Sequence, residues 1–409
     1  MRIAAIISEF DPFHNGHKYL IDETRRRADC GGVVCIMSGS FTQRGKPAVC
    51  DKWARAEMAL KGGADVVVEL PFVYAVSSAQ FFALGGVSIA DKLGADVVSF
   101  GIESAEADVL EAAEKRKSGE YGEKVLANIK KGASYASAAS SAIDSERIKP
   151  NDILACEYIA AMESTGFRPG VLMIPRRGAG HGSEEPSGEF ASATALRKML
   201  AEGDIGRISG YVPYETAEIL GNWAETERFV TADDFSSALC VKLRTMRPDR
   251  IEELPFGGGG LNRLVYNNAQ KYSSWEKIVS ASTSLRYPSS RASRFMTMAL
   301  VYSEDLAFSP KELERIYTHG EAPYIRVLGV TRGRGEEVLS EIARRCEGRA
   351  KLVTAPYKYL ENTRASGVPG YKMLMTDISA QAVYDSVLKA DHLSAADRDL
   401  TCKFLRYDF

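Results

Sequence analysis

Four runs of strand length, RIAAIIS near the start, GVVCIMSG (32–39), ADVVVELP (64–71) and ADVVSFG (95–101), stay apolar on both faces. A strand with no polar face has to be covered on both sides, and that is the situation of a parallel sheet. Helix-patterned segments separate the runs: Gly16 to Arg27, Lys52 to Lys61 and Ser77 to Lys92. Strand–helix alternation of this kind builds βαβ units with right-handed crossovers, so the first two hundred residues are predicted to form a doubly wound parallel α/β sheet. The near-echoes KGGADVVVEL and KLGADVVSFG read as one recurring solution, a helix ending in Lys, a Gly cap and then a strand.

Beyond this sheet the pattern changes. Residues 105–168 look mainly helical, VLMIP (171–175) is a fifth strand, and SATALRKML starts a helix near Ser192. From about 206 the chain is mostly helical, interrupted by PFGGGGLNR (255–263). Strands return at YIRVLGV (324–330) and AKLVTA (350–355). The expected limits are 1–205 for a nucleotide-binding domain, 206–320 for a mainly helical part and 321–409 for a small mixed α/β part.

A net charge of −2 gives no global pull toward nucleic acid or membrane, so any polyanion site must be local. Seven scattered cysteines without a CxxC pair suit reduced thiols in a cytoplasm and disfavour a structural zinc; no metal site is expected. Leu70 to Ala90 is uncharged over about the length of a membrane span. Pro71, Ser77, Ser78, Gln80 and Gly85-Gly86 interrupt it, and a buried turn followed by a core helix fits better.

The tetrad His14-Asn15-Gly16-His17 lies directly behind the first strand, in a chain with only five histidines. Ligands of doubly wound sheets bind at such strand-to-helix turns, where backbone N–H groups and the positive helix end favour phosphate. Gly16 is expected to let a phosphate approach closely. Imidazoles three residues apart share a helix face and can donate to one phosphoryl group as charge builds on it. A plain surface turn is the alternative, and the place of the tetrad inside a βαβ series favours the phosphate site.

The series EFDPFHNGH, MSGSFTQRGKPAV, KWARAEMALKGGADVVVELP, VVSFGIES, PNDILACEY, IPRRGAG and SATALRKML resembles the bacterial tRNA(Met) cytidine acetate ligase family, within the HxGH nucleotidyltransferase superfamily. The likeness continues through LNRL (261–264), LRYPSSRASR (285–294) and PYIRVLG (323–329), and so spans nearly the whole chain. It implies a Rossmann-like catalytic domain that activates acetate with ATP, with Mg²⁺ offsetting charge. It also implies transfer of the acetyl group to the wobble cytidine of elongator tRNA(Met), in the cytoplasm and without a membrane.

By position, the resemblance assigns ATP contacts to Ile7, Ser8, Glu9, Phe10, Asp11, Pro12, Phe13, His14, Asn15, Gly16, His17, Lys18, Tyr19 and Leu20, and also to Gly101, Asn151 and Arg176. His14, His17, Thr194 and Arg197 are its catalytic set. Asn151 behind Pro150 reads equally as a helix cap, and Gly101 as a generic turn. Arg286, Tyr287, Arg291 and Arg294 are the expected tRNA contacts, with Arg44 and Lys46 facing nucleotide or tRNA. This chain carries Asp11 where relatives often have Asn, Pro175 where they have Lys, and GGGGLNR where they read EGLENR. The alternatives are a small-molecule adenylyl- or cytidylyltransferase, and a nucleotide- or RNA-binding protein without turnover. The sequence sets no oligomeric state.

Overall fold

The computed structural model describes every residue except 117, 132–134, 144–147, 150–151, 179–184, 227–228, 255, 365–368, 391–396, 403 and 409. Its first strands alternate with helices as the apolar runs require: β1 (Ile3–Ser8), α1 (Asn15–Ala28), β2 (Gly32–Ser38), α2 (Lys52–Lys61) and β3 (Val66–Leu70). Next come α3 (Ala79–Leu93), β4 (Val97–Ile102), α4 (Asp152–Thr165), β5 (Gly170–Pro175) and α5 (Ala193–Ala201). Most of the described residues in 214–301 are helical, the last helix being α6 (Ser289–Val301). The chain ends in β6 (Tyr324–Thr331), α7 (Arg334–Cys346), β7 (Lys351–Val353), α8 (Pro369–Asp385), α9 (Arg398–Thr401) and β8 (Leu405–Tyr407).

The strand order is β5-β4-β1-β2-β3-β6-β7, with β8 pairing β6. Strands β1 to β5 are mutually parallel. The parallel set expected of the first two hundred residues is present, and the sheet continues past it as a mixed one: β6 runs antiparallel to β3, with a bulge at Val67/Val68. No crossover helix joins β3 to β6. The long helical region between them frees β6 from the parallel direction that a βαβ unit imposes.

The period-2 alternation of each strand divides two cores across the sheet. Ala4, Ile6, Val33, Cys35 and Met37 face one core with Ile21 of α1 and Met58 of α2. Ile3, Ala5, Ile7, Val34 and Ile36 face the other with Val87 of α3 and Tyr158 of α4. The first core runs on into the helical region through Leu239, Trp275 and Phe295. The region expected from 321 onward adds its strands to this same sheet.

The near-echo has a reason beyond capping. Asp65 Oδ2 accepts the Val33 N–H at 2.7 Å, and Asp96 Oδ2 accepts the Ile3 N–H at 2.8 Å. Each aspartate therefore holds the residue one place ahead of the first ladder pair on the neighbouring strand. Gly94 closes α3 in the left-handed region (φ 69°), and Gly63 takes that role after α2 (φ 110°).

The uncharged stretch from Leu70 is a buried helical turn followed by α3, as expected. Among the described residues no helix is long and apolar enough to cross a membrane.

A buried ion cluster joins the C-terminal segment to α2 and β3. Lys52 Nζ lies 2.9 Å from Glu69 and 2.8 Å from Asp399, and Arg326 lies 2.6 Å from Asp399 and 3.2 Å from Glu69. Two cations thus face two anions. A third carboxyl, Asp377, accepts the Phe72 N–H at 2.7 Å and meets the Tyr324 hydroxyl at 2.5 Å. Burial, then Glu69, pushes it up to about 8. Beside it, Arg398 bridges Asp51 and Asp385.

Candidate active site

In the strand order, β1 separates β2 and β3 from β4 and β5, so the switch point lies at the carboxyl ends of β1 and β4. Arg55 of α2, fully buried, fixes that edge. Its guanidinium donates to the carbonyls of Glu9 (2.7 Å), Ser38 (3.1 Å) and Cys50 (3.2 Å), and to that of Gly39. The ends of β1 and β2 are thereby held by one side chain. The sequence showed Arg55 only as a helix residue.

Past β1, Phe10 takes a left-handed conformation (φ 50°) and turns the chain, and the Asp11–Pro12 peptide is cis. The Phe10 ring packs edge-on against Phe13 at 5.0 Å and His17 at 4.9 Å. His14 is the N-cap of α1 and forms a capping box with His17. His14 Nδ1 accepts the Gly16 N–H at 3.1 Å, and His17 Nδ1 accepts the His14 N–H at 3.3 Å. The rings stack at 3.7 Å with a 21° tilt.

Because each Nδ1 is an acceptor, each neutral ring carries its proton on Nε2. Burial, together with His14 and the Arg176 guanidinium, holds His17 well below the usual imidazole range. The pair therefore presents two Nε2–H donors.

Two expectations about this turn change. A Cβ at Gly16 would lie 2.9 Å from the His14 ring, so the glycine makes room for His14 itself. The first-turn N–H groups are also taken: Asn15 donates to Tyr211 O, Gly16 to His14 Nδ1, and His17 to His14 O. The N–H groups of Asn15, Gly16 and His17 are thus committed within the protein, and the two imidazoles crowd the helix end in place of bare backbone.

Within the loop, Ile7, Phe10 and Phe13 point into the cores, so only their main chain borders the site. Ser8 Oγ is buried with no hydrogen-bond partner, an orphan hydroxyl at the strand end. Asn15 Nδ2 donates to Glu189 O at 2.9 Å. Lys18 is exposed and pairs with Asp22, Arg177 lies 4.5 Å over the Tyr19 ring, and Leu20 packs on the core.

The second motif meets the first. Ser192 caps α5 by accepting the Ala195 N–H. Arg197 donates to Thr194 Oγ1 at 3.2 Å, to Asp11 O at 2.9 Å and to Asp11 Oδ2 at 3.4 Å. Asp11 Oδ1 takes the Val49 N–H at 2.8 Å. Asp11 thus joins the HNGH loop to α5 and to the 39–51 loop.

Gly101 is the penultimate residue of β4, but the space beside it holds Arg176: a Cβ there would lie 3.1 Å from Arg176 Nε. Asn151 lies outside the described residues. Its neighbour Asp152, which the sequence reading passed over, is fully buried and accepts the N–H groups of Glu103 and Ser104, both at 2.8 Å. The Asn-Asp order at a helix start was the available signal.

The Tyr287 ring is flanked by guanidinium groups, Arg286 at 5.5 Å and Arg291 at 5.4 Å, and its hydroxyl donates to Gly259 O. Arg291 also donates to Gly258 O at 2.9 Å. The glycine loop and LRYPSSRASR therefore form one surface, with Arg286 exposed. Arg294 stands apart from that loop and donates to Gln43 O at 3.4 Å. Burial above all, with Arg291 and Arg44 adding like charge, lowers Arg294 to about 10. Arg44 and Lys46 are exposed on the 39–51 loop. Gly45 in that loop (φ 68°) abuts the α6 backbone, and its carbonyl accepts from Ser293 and Thr297.

The model of the family described as HIGH Nucleotidyl Transferase matches residues 1–399. The chain is 33% identical to the tRNA(Met) cytidine acetate ligase of Caldanaerobacter subterraneus subsp. tengcongensis, over 97% of this chain and 98% of that one. It is 31% identical to the Bacillus subtilis protein of that name, over 83% and 84%. Its fold superposes on Thermotoga maritima TmcAL in the apo form with a TM-score of 0.89 at 27% identity, covering both chains fully. The same protein bound with alpha-thio ATP gives 0.86 at 28% identity, again over both full chains.

Proposed function

Since the chain belongs to the HIGH Nucleotidyl Transferase family, we propose that it is an ATP-dependent ligase that acetylates the wobble cytidine of elongator tRNA(Met). The observation that carries this reading is the full-length likeness to tRNA(Met) cytidine acetate ligases, together with an α1 start whose two imidazoles are fixed as donors.

Acetate oxygen attacks the α-phosphate of ATP, and pyrophosphate leaves. The Nε2–H groups of His14 and His17 donate to phosphate oxygens as charge builds on them, a role for fixed dipoles rather than for proton transfer. Thr194 and Arg197 face the same phosphates from α5, Ser8 Oγ and Arg176 border the nucleotide, and Asp11 keeps the two motifs in register. The mixed anhydride then meets the cytidine amine, whose lone pair is delocalised into the ring and which needs an activated acyl partner.

Among the described residues no three His, Cys, Asp or Glu side chains converge as a metal site, and both imidazoles offer donors where a metal needs acceptors. The side chains do not fit a resident ion, and Mg²⁺ belongs to this reading as part of the ATP substrate. Arg286, Tyr287, Arg291 and Arg294 grip tRNA phosphates, so residues 206–320 serve as the tRNA-binding part beside a catalytic part, 1–205, and the closing segment, 321–409. Among the described residues no disulfide joins the cysteines, which suits a cytoplasmic enzyme.

The test is incubation with ATP, radiolabelled acetate and bulk tRNA. Label in tRNA cytidine is expected. Acetate-independent nucleotide transfer would favour the small-molecule transferase, and no acetate-dependent ATP consumption would sink the ligase.

A further inference from the structure

Acyl transfer leaves one proton to place. The cytidine nitrogen bonds to the acetyl carbon, the bond from that carbon to the adenylate oxygen breaks, and AMP departs with the electron pair. The new amide nitrogen must then lose a proton.

Most side chains around the site are already committed. His14 and His17 accept backbone N–H groups at Nδ1 and carry protons at Nε2, so neither accepts another. Both oxygens of Asp11 are occupied, by Val49 N–H and by Arg197. Both oxygens of Asp152 hold backbone N–H groups, and Glu103 faces the Arg176 guanidinium. Glu9 differs. Its Oε1 takes the Gln43 N–H at 2.5 Å, and among the described contacts Oε2 accepts from no donor.

We propose that the Glu9 carboxylate is the proton acceptor for the attacking cytidine amine. Its main chain is fixed by Arg55 at the end of β1, next to the histidine loop. Gln43, which holds the carboxylate through its N–H, receives Arg294 on its carbonyl. One residue therefore separates the amine acceptor from Arg294, one of the four proposed tRNA contacts, so a strand gripped there delivers its base toward Glu9. This inference rests on the acetate-ligase reading.

The charged and titratable groups facing Glu9 are Asp11 on its own loop, Arg44 on the 39–51 loop and Arg197 on α5. Arg55 of α2 faces its carbonyl, and the Tyr158 phenol of α4 is within electrostatic reach. Burial, with Asp11 adding to it, raises the carboxyl above its usual range, and the Gln43 N–H, Arg197 and Arg44 oppose this. A base drawn toward working pH is better matched to proton transfer.

The experiment compares full-length wild type, Glu9→Gln and Glu9→Asp. Single-turnover transfer of labelled acetate to tRNA(Met) is followed against pH, beside acetate-dependent ATP–pyrophosphate exchange. Glu9→Gln is expected to slow transfer by about a hundredfold or more while exchange falls far less. The wild-type rate should rise with pH along a limb that Glu9→Gln lacks and Glu9→Asp restores. Equal loss of exchange and transfer in both variants would overturn the proposal, as would a Glu9→Gln enzyme with the wild-type rate and limb. If wild type labels no tRNA, the acetate-ligase reading itself fails; if it does and Glu9→Gln matches it, only the role of Glu9 fails.

Discussion

Arg197 donates to the main-chain oxygen of Asp11 at 2.9 Å, across 186 positions of sequence, and so ties the Thr194–Arg197 motif to the histidine loop. Its side chain is about one-third exposed, which limits the pair itself to about 1 kcal/mol. Arg197→Ala should lower acetate-dependent pyrophosphate exchange by about a hundredfold, because it removes a transition-state donor. Asp11→Asn should cost far less, since the carbonyl contact survives. A double-mutant cycle on exchange rates measures the coupling, and an Asp11→Asn loss as large as that of Arg197→Ala would contradict this account.

His17 bears on pH dependence. Its folded pKa lies below that of a free imidazole, so the neutral donor form prevails from about pH 6 upward. Exchange should therefore show no limb from His17 between pH 6 and 8, and His17→Ala should reduce it about 10²–10³-fold. A titration near 6.5 that disappears in His17→Ala would show the imidazole to be unshifted.

Replacing Arg55 with Met keeps much of its volume and removes every donor. The carbonyls of Glu9, Ser38, Gly39 and Cys50 would then be left buried without partners. The expected loss is about 3 kcal/mol or more, read by urea unfolding, with exchange lost in the same variant because both strand ends shift.

Asp377 predicts how stability varies with pH. Its folded pKa, about 8, lies above its unfolded value, so the folded state retains a proton that the unfolded state gives up. Stability from this group therefore falls as pH rises from about 4 to about 8, at no more than about 1.4 kcal/mol per pH unit, and is level on either side. Asp377→Asn should flatten that slope in unfolding measurements at pH 5, 6, 7 and 8; an unchanged slope would remove Asp377 as its source.

Much of the sheet was legible because burial on both faces leaves a direct trace, the unbroken β-branched runs of β1 to β4. The histidine loop was legible for a related reason: His14 and His17 belong to one helical turn, and local spacing fixes their stacking. The position of Ser192 likewise announced α5. What escaped depends on partners hundreds of residues apart. Nothing local in KWARAEMALK shows that Lys52 meets Asp399 or that Arg55 staples two strand ends. The antiparallel entry of β6 follows from the long helical detour before it. Gly16 misled because its open side is filled by the neighbouring His14 ring, a matter of rotamer rather than of residue type.

The ion cluster under α2 sets an order of events for a chain emerging from the ribosome. Lys52 and Arg326 balance only when Asp399 has joined Glu69, and Asp51 meets its cation only when Arg398 arrives. Until the segment holding Arg398 and Asp399 is made, the base of the 39–51 loop holds unmatched charge and favours hydration over burial. Settling of the 39–51 loop therefore waits on the Arg398–Asp399 segment, and a chain terminated before it carries His14, His17, Thr194 and Arg197 yet lacks the counter-charges that steady the loop beside them.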